Sequence, residues 1–291
     1  MTPALTLRER SEAEASRLPP LLARAEHLAG TVLLGDHGRR RAGLGDDFWQ
    51  YRPAQPGDSR RLIDHRRSAR GDQQFVRERE WQIAQSVMLW VDQGASMRFA
   101  SEKSLPTKAD RARLVGLATA ILLVRGGERV GLTGTTLPPR RGNAQIIRLA
   151  EAWAQDAEAD YQPPEHRAMI PHARAVFLSD FLGDLDEVEL ALTKAADRGV
   201  RGVLMMTLDP SEEAFPYQGR TIFESVGGTL RHETLKAGEL KDRYIARLAE
   251  RKDRLLHLCQ ATGWQFGLHH SGDSAQTALL WLYRALDGGH R

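Results

Sequence analysis

From residue 87 to about residue 286, short apolar runs alternate with longer amphipathic stretches. The runs are residues 87–92 (VMLWVD), 129–134 (RVGLTG), 175–180 (AVFLSD), 200–209 (VRGVLMMTLD) and 264–270 (WQFGLHH), with a shorter one at 221–225 (TIFES). Between them, residues 108–125, 143–155, 184–198, 238–262 and 275–286 predict helices. The runs are too continuous for a sheet with one wet face and suit parallel strands covered on both faces. Strand–helix alternation over roughly 200 residues predicts a doubly wound α/β domain with a mostly parallel sheet.

The first eighty residues read differently. Residues 8–29 predict a polar, Ala-rich helix stopped by Gly30, with Pro19 and Pro20 breaking or kinking it. Residues 35–45 combine four glycines with Arg39, Arg40 and Arg41 and predict a mobile basic loop. Residues 75–80 (FVRERE) alternate with period two, which predicts an edge strand whose charges discourage further pairing. The expected division is an N-terminal helical and extended appendage over 1–80 and an α/β domain over 81–291.

Composition narrows the function classes. Of 41 basic residues only six are Lys, at 103, 108, 194, 236, 241 and 252, so fixed Arg–carboxylate pairs are favoured. Residues 36–80 hold 11 Arg against 8 acidic residues, and this near-cancellation argues against nucleic-acid binding, which needs uncompensated charge. Cys259 is the only cysteine, which excludes an internal disulfide and a Cys-cluster zinc site and fits a reducing compartment. A small buried hydrophobe on a helix is its expected role. The longest apolar-leaning run, 114–124, is far short of the roughly 20 residues of a membrane span. The N-terminus lacks the apolar core of a signal peptide, so a soluble cytoplasmic protein is expected.

Three predicted strands end in aspartate: Asp92, Asp180 and Asp209. Ligands bind at the carboxyl ends of strands in open α/β sheets, although each Asp equally suits a cap on the next helix or turn. No phosphate-binding GxxxxGK[ST], dinucleotide GxGxxG or zincin motif is present. Ser96, Asp209 and His269 fall in the chain order of α/β-hydrolase triads, which leaves a serine hydrolase as an alternative. Arg98 stands where the nucleophile elbow needs glycine, which counts against it. The pair His269-His270 points to opposite faces of its strand and carries no site by itself.

Residues 92–97, Asp92-Gln93-Gly94-Ala95-Ser96-Met97, have the spacing of DxSxS. That element resembles the start of the metal-ion-dependent adhesion site of von Willebrand factor A domains. Upstream, DFWQYRPAQPGDSRRLIDHRRSAR (47–70) followed by FVRERE resembles the signature of the family called domain of unknown function 58. Arg52, Gly57, Asp58, Arg61, Ile63, Asp64, Ser68, Ala69 and Arg70 match it; Ala54 and His65 depart from it, where the family often has Tyr and Trp. Taken by itself, this Arg–Asp density suits either a bracing ion-pair network or a partner surface.

The resemblance implies a von Willebrand A-like fold and a non-enzymatic adaptor working with a MoxR-type AAA+ ATPase. It also implies a degenerate Mg²⁺ site built from Asp92, Ser96, Asp180 and Asn143. Gly94 replaces the first Ser and Asn143 replaces a Thr, so metal binding is expected to be weak or absent. Two carboxylates and one hydroxyl would remain, with waters completing a six-coordinate Mg²⁺.

Overall fold

The computed structural model describes residues 19–32, 39–43, 47–55, 63–69, 71, 73–83, 85–228 and 231–287. Its contacts form two compact units: Asp36–Gln85, and a second that joins the chain before Asp36 to Ser86–Arg291.

In the larger unit, β4 (Ser86–Val91), β5 (Arg129–Leu132), β6 (Arg174–Ser179), β7 (Arg201–Leu208) and β10 (Gln265–His270) form one five-stranded sheet. The spatial order is β10-β7-β6-β4-β5, and every pairing is parallel. Counted from its first strand this is 2-1-3-4-5, one of the two common doubly wound orders, with its switch point between β4 and β6.

Alternate residues of each strand serve opposite faces. Val87, Leu89 and Val91 pack with Leu117 and Ile121 of α3 (Lys108–Arg125), Leu149 and Trp153 of α4 (Asn143–Ala154) and Leu279 and Leu282 of α8 (Ala275–Asp287). Met88 and Trp90 face the other way, against α5 (Leu185–Asp197) and α7 (Lys241–Thr262), where Val188, Leu192, Leu255 and the buried Cys259 complete the layer. Gly116 lets α3 lie close on the sheet: a Cβ there would meet Leu178 and Val91 at 3.1 Å.

A helix over residues 19–30, α1, adds Ala25, Leu28 and Ala29 to the first of these layers. The described part of this helix begins at Pro19-Pro20. Residues 8–18 of the predicted helix lie outside the described residues. Two smaller elements stand beyond β7. One is α6 (Pro210–Ala214), and the other is a hairpin of β8 (Thr221–Glu224) and β9 (Arg231–Thr234). No helix among the described residues is long and apolar enough to cross a membrane.

The smaller unit is an antiparallel sheet in the order β1-β3-β2, from β1 (Arg39–Gly43), β2 (Asp47–Pro53) and β3 (Phe75–Ile83). Two expectations are corrected here. The Gly–Arg segment supplies a strand at 39–43 where a loop was expected. The alternating segment 75–80 is central, because β1 and β2 both pair with it. Period two describes any strand with two unlike faces and does not by itself tell an edge from a centre.

Candidate functional site at the carboxyl edge of the sheet

The switch point places Asp92 and Asp180 on neighbouring strands, just past the paired residues Val91 and Leu178. Strand spacing and rise put their Cα atoms about 6 Å apart. Both carboxylates are buried and line a common small cavity. Asp92 is already engaged at both oxygens: Oδ1 accepts from the Gly94 N–H (2.7 Å) and Oδ2 from the Ser179 hydroxyl (2.6 Å). Burial and the nearby Asp180 push its pKa up to about 7.

Asp180 faces a residue that the sequence reading passed over. Lys108, the first residue of α3, is buried, and its Nζ donates to Asp180 Oδ2 (2.8 Å) and to Glu212 Oε1 (2.6 Å). Burial alone would lower the lysine pKa, but the two carboxylates hold it above its ordinary value. Burial raises the pKa of Glu212, and the ammonium opposes that rise. A cation in the first turn of a helix opposes the helix dipole, so Lys108 is held there by its partners and not by local preference.

Glu212 is fixed by the capping box of α6, accepting from the Asp209 N–H (2.8 Å). Asp209 is the N-cap, accepting from the Ser211 N–H (2.8 Å) and tying in the Ser101 N–H (3.0 Å). Of the three strand-terminal aspartates, Asp209 is therefore spent on capping, whereas Asp92 and Asp180 sit in the charge cluster.

Ser96 lies in a 3-10 turn, Ala95–Arg98, and is nine-tenths buried, yet its hydroxyl has no hydrogen-bond partner. Gly94 is dictated by packing, since a Cβ there would stand 2.8 Å from the Asp160 carbonyl oxygen. The side chain that DxSxS would place at 94 has no room.

Asn143 is not brought to this edge. It opens α4, where Gln145 Nε2 donates to the Val130 carbonyl (3.0 Å) near the start of β5. The other end of α4 reaches the edge, where Gln93 Nε2 donates to the Ala152 carbonyl (2.7 Å). A 12-residue helix spans about 18 Å, so Asn143 is a helix length away. A hydroxyl nearer the edge is that of the buried Thr133, just past β5, whose Oγ1 has no partner.

This donor set does not fit a Mg²⁺ cage. Asp92 is occupied at both oxygens, Asp180 Oδ2 holds an ammonium, position 94 has no side chain and Asn143 is distant. Among the described residues no group of three or more His, Cys, Asp and Glu side chains is arranged to hold a metal ion. Ser96 and His269 make no nucleophile–base contact: Ser96 Oγ and His269 Nε2 both lack a partner.

Beside the cluster opens a cavity of about 630 Å³, with Ser96, Lys108 and Glu212 in its lining. Its walls are aromatic. Phe215 packs on Tyr244 (4.8 Å between ring centres), on Phe223 (5.7 Å) and edge-on to Tyr217 (5.3 Å). Tyr161 completes the aromatic lining, and α7 contributes Arg243 and Arg247.

The signature residues belong to the smaller unit. Asp64 caps a one-turn helix, α2 (His65–Ser68), accepting from the Arg67 N–H (2.9 Å). Ser68 Oγ donates to the Asp64 carbonyl (2.7 Å) and accepts from the Phe75 N–H (2.9 Å), which ties α2 to β3. Ile63 bridges Val76, and Arg52 sits in β2 opposite Val76. Asp58, Arg61 and Arg70 lie outside the described residues.

The fold and the site define a doubly wound α/β protein with a buried charge cluster at its switch point. The family model described as Protein of unknown function DUF58 matches residues 50–254, and the chain belongs to that family. Among solved structures, the chain is similar to an aerotolerance-related membrane protein from Bacteroides fragilis NCTC 9343 carrying multiple mutations to serines. Identity is 12%, coverage is 70% of this chain and 100% of that one, and the TM-score is 0.39. No curated protein matches the chain.

Proposed function

We propose that the protein is a non-enzymatic, protein-binding adaptor of von Willebrand A-like type that docks a partner at the carboxyl edge of its five-stranded sheet. The proposed partner is a MoxR-type AAA+ ATPase, as the family resemblance implies. The observation that carries the reading is the aromatic-walled cavity beside the Asp180–Lys108–Glu212 cluster. It opens where doubly wound sheets take ligands, and its volume lies within the usual range for binding sites. The lack of any hydrogen bond between Ser96 and His269 favours binding over hydrolysis.

The test is capture of the MoxR-type ATPase from the same cell by the full chain. Tyr244→Ala and Arg243→Glu should lower capture at least tenfold, a loss of about 1.4 kcal/mol or more. Asp64→Ala, in the other unit, should leave it unchanged. Unimpaired capture by both cavity variants would move the contact surface away from this edge. Labelling of Ser96 by a fluorophosphonate would replace the adaptor reading with the hydrolase one.

A further inference from the structure

We infer that the Lys108 ammonium is the resident cation of the carboxyl edge. It pairs with Asp180, one of the carboxylates that the adhesion-site resemblance would give to a divalent ion, and it makes the edge independent of metal. Three observations on the α/β unit converge on this. First, Nζ bonds two carboxylates from different elements, Asp180 just past β6 at 2.8 Å and Glu212 in α6 at 2.6 Å, as a bridging cation does. Second, the charge is enclosed: Lys108 and Asp180 are each 1% exposed at their side chains, and the Phe99 ring lies 5.8 Å from Nζ. Third, the neighbours that would complete a metal shell are withdrawn. Each Asp92 oxygen already accepts one bond, from Gly94 and from Ser179, and position 94 leaves no room for a further oxygen ligand.

A divalent ion coordinated by Asp180 would need oxygens at about 2.1 Å and would stand within a few ångströms of Nζ. Two cations at that separation repel strongly in a buried site, so the ammonium excludes the metal. An ammonium fixed on a helix also differs from a metal in being permanent: chelators cannot strip it and free metal concentration cannot gate it.

The test needs no partner, so its failure and the failure of the adaptor reading are distinguishable. Mn²⁺ is titrated into the full chain and followed by electron paramagnetic resonance, with Mg²⁺ followed by thermal shift. The parent should bind neither at millimolar metal. Lys108→Ala leaves Asp180 and Glu212 facing a space the size of the lost ammonium, and it should gain Mn²⁺ affinity by roughly tenfold or more over the parent. Asp180→Asn placed on top of it should abolish the gain. Lys108→Ala/Glu212→Gln leaves fewer unpaired carboxylates, and it takes the place of Lys108→Ala if that variant does not fold. Parent binding that Asp180→Asn removes would overturn the inference, as would a folded Lys108 variant that gains no affinity. If neither variant folds, the parent titration alone decides.

Discussion

Replacing Lys108 by Met keeps most of the buried aliphatic volume and removes only the charge. Asp180 and Glu212 then lose the donor they share at 2.8 and 2.6 Å, in a site where Asp180 is fully buried. Breaking a buried pair by deleting one partner typically costs about 3–5 kcal/mol, because an uncompensated charge stays behind. Relief of the unfavourable helix-dipole contact returns only about 0.3–1 kcal/mol. The expected net loss near neutral pH is therefore about 2–5 kcal/mol, and the midpoint of thermal unfolding should fall by on the order of 10 °C. The sign of its pH dependence is also fixed. Burial already raises the Glu212 pKa, and the lysine is the main group that pulls it back, with the Asp209 N–H assisting, so the variant raises it further. A carboxyl with a raised folded-state pKa contributes stability at low pH and loses it as pH rises through that pKa. The gap between variant and parent should therefore narrow on acidification. Urea denaturation of both proteins at several pH values measures this. A gap below about 1 kcal/mol, or one that does not change with pH, would refute the buried-pair account.

Three further outcomes follow from the geometry. Gly94→Ser should cost about 1–3 kcal/mol in urea melts and restore no metal binding, because its Cβ would press on the Asp160 carbonyl at 2.8 Å. Asp64→Ala should remove the α2 cap and destabilise the smaller unit by about 1 kcal/mol, seen as faster hydrogen exchange at Arg67 with the α/β unit unaffected. Asp92 and His269 should oppose each other between neutral pH and pH 4. The Asp92 pKa, raised from 3.8 to about 7 by burial and Asp180, adds up to about 4 kcal/mol of stability as pH falls through 7. The His269 pKa, lowered from 6.5 to about 4 by burial and Arg111, removes up to about 3 kcal/mol as pH falls from 6.5 toward 4. His269→Gln should unmask the Asp92 arm as stability that rises on acidification; parallel profiles for variant and parent would rule the pairing out.

The sheet was legible because its strands are buried on both faces, so runs such as 87–92 and 175–180 announce themselves without a long-range cue. That Asp92 and Asp180 end neighbouring strands was legible for a related reason, since each closes a buried run, whereas Ser96 was singled out only through the resemblance to DxSxS. Asn143 entered only through the resemblance, as the residue in the place of a Thr that opens a helix, and this helix opens away from the carboxyl edge. The chain in fact doubles back along β5, with Arg140 bridging Val130, and starts the helix at the other end of the sheet. No local pattern marks such a return. Glu212 was hidden in a capping box whose sequence, Asp-Pro-Ser-Glu, explains it completely without a charge cluster. Lys108 did leave a trace. It is one of only six lysines in a chain of 35 arginines, and it stands at a helix start, where a cation is disfavoured.

Why the scarce residue is used there follows from shape. An arginine carries a planar fork of five donors, which demands several acceptors in fixed directions, whereas an ammonium is a compact charge with three donors that turn to fit. Between one oxygen of Asp180 and one of Glu212 an ammonium uses two of its three donors, whereas a guanidinium would leave more of its five donors without an acceptor. Once its charges are paired internally, the cluster has little left to offer a partner electrostatically. Its effect is to hold β6, α3 and α6 together beneath the cavity. In the proposed adaptor role the energy of docking would fall to the walls, where Phe215, Tyr217, Phe223 and Tyr244 are already packed ring on ring and lose little freedom when covered. On this division of labour Tyr244→Ala should weaken partner capture far more than Asp92→Asn, even though the aspartate belongs to the motif and the tyrosine does not.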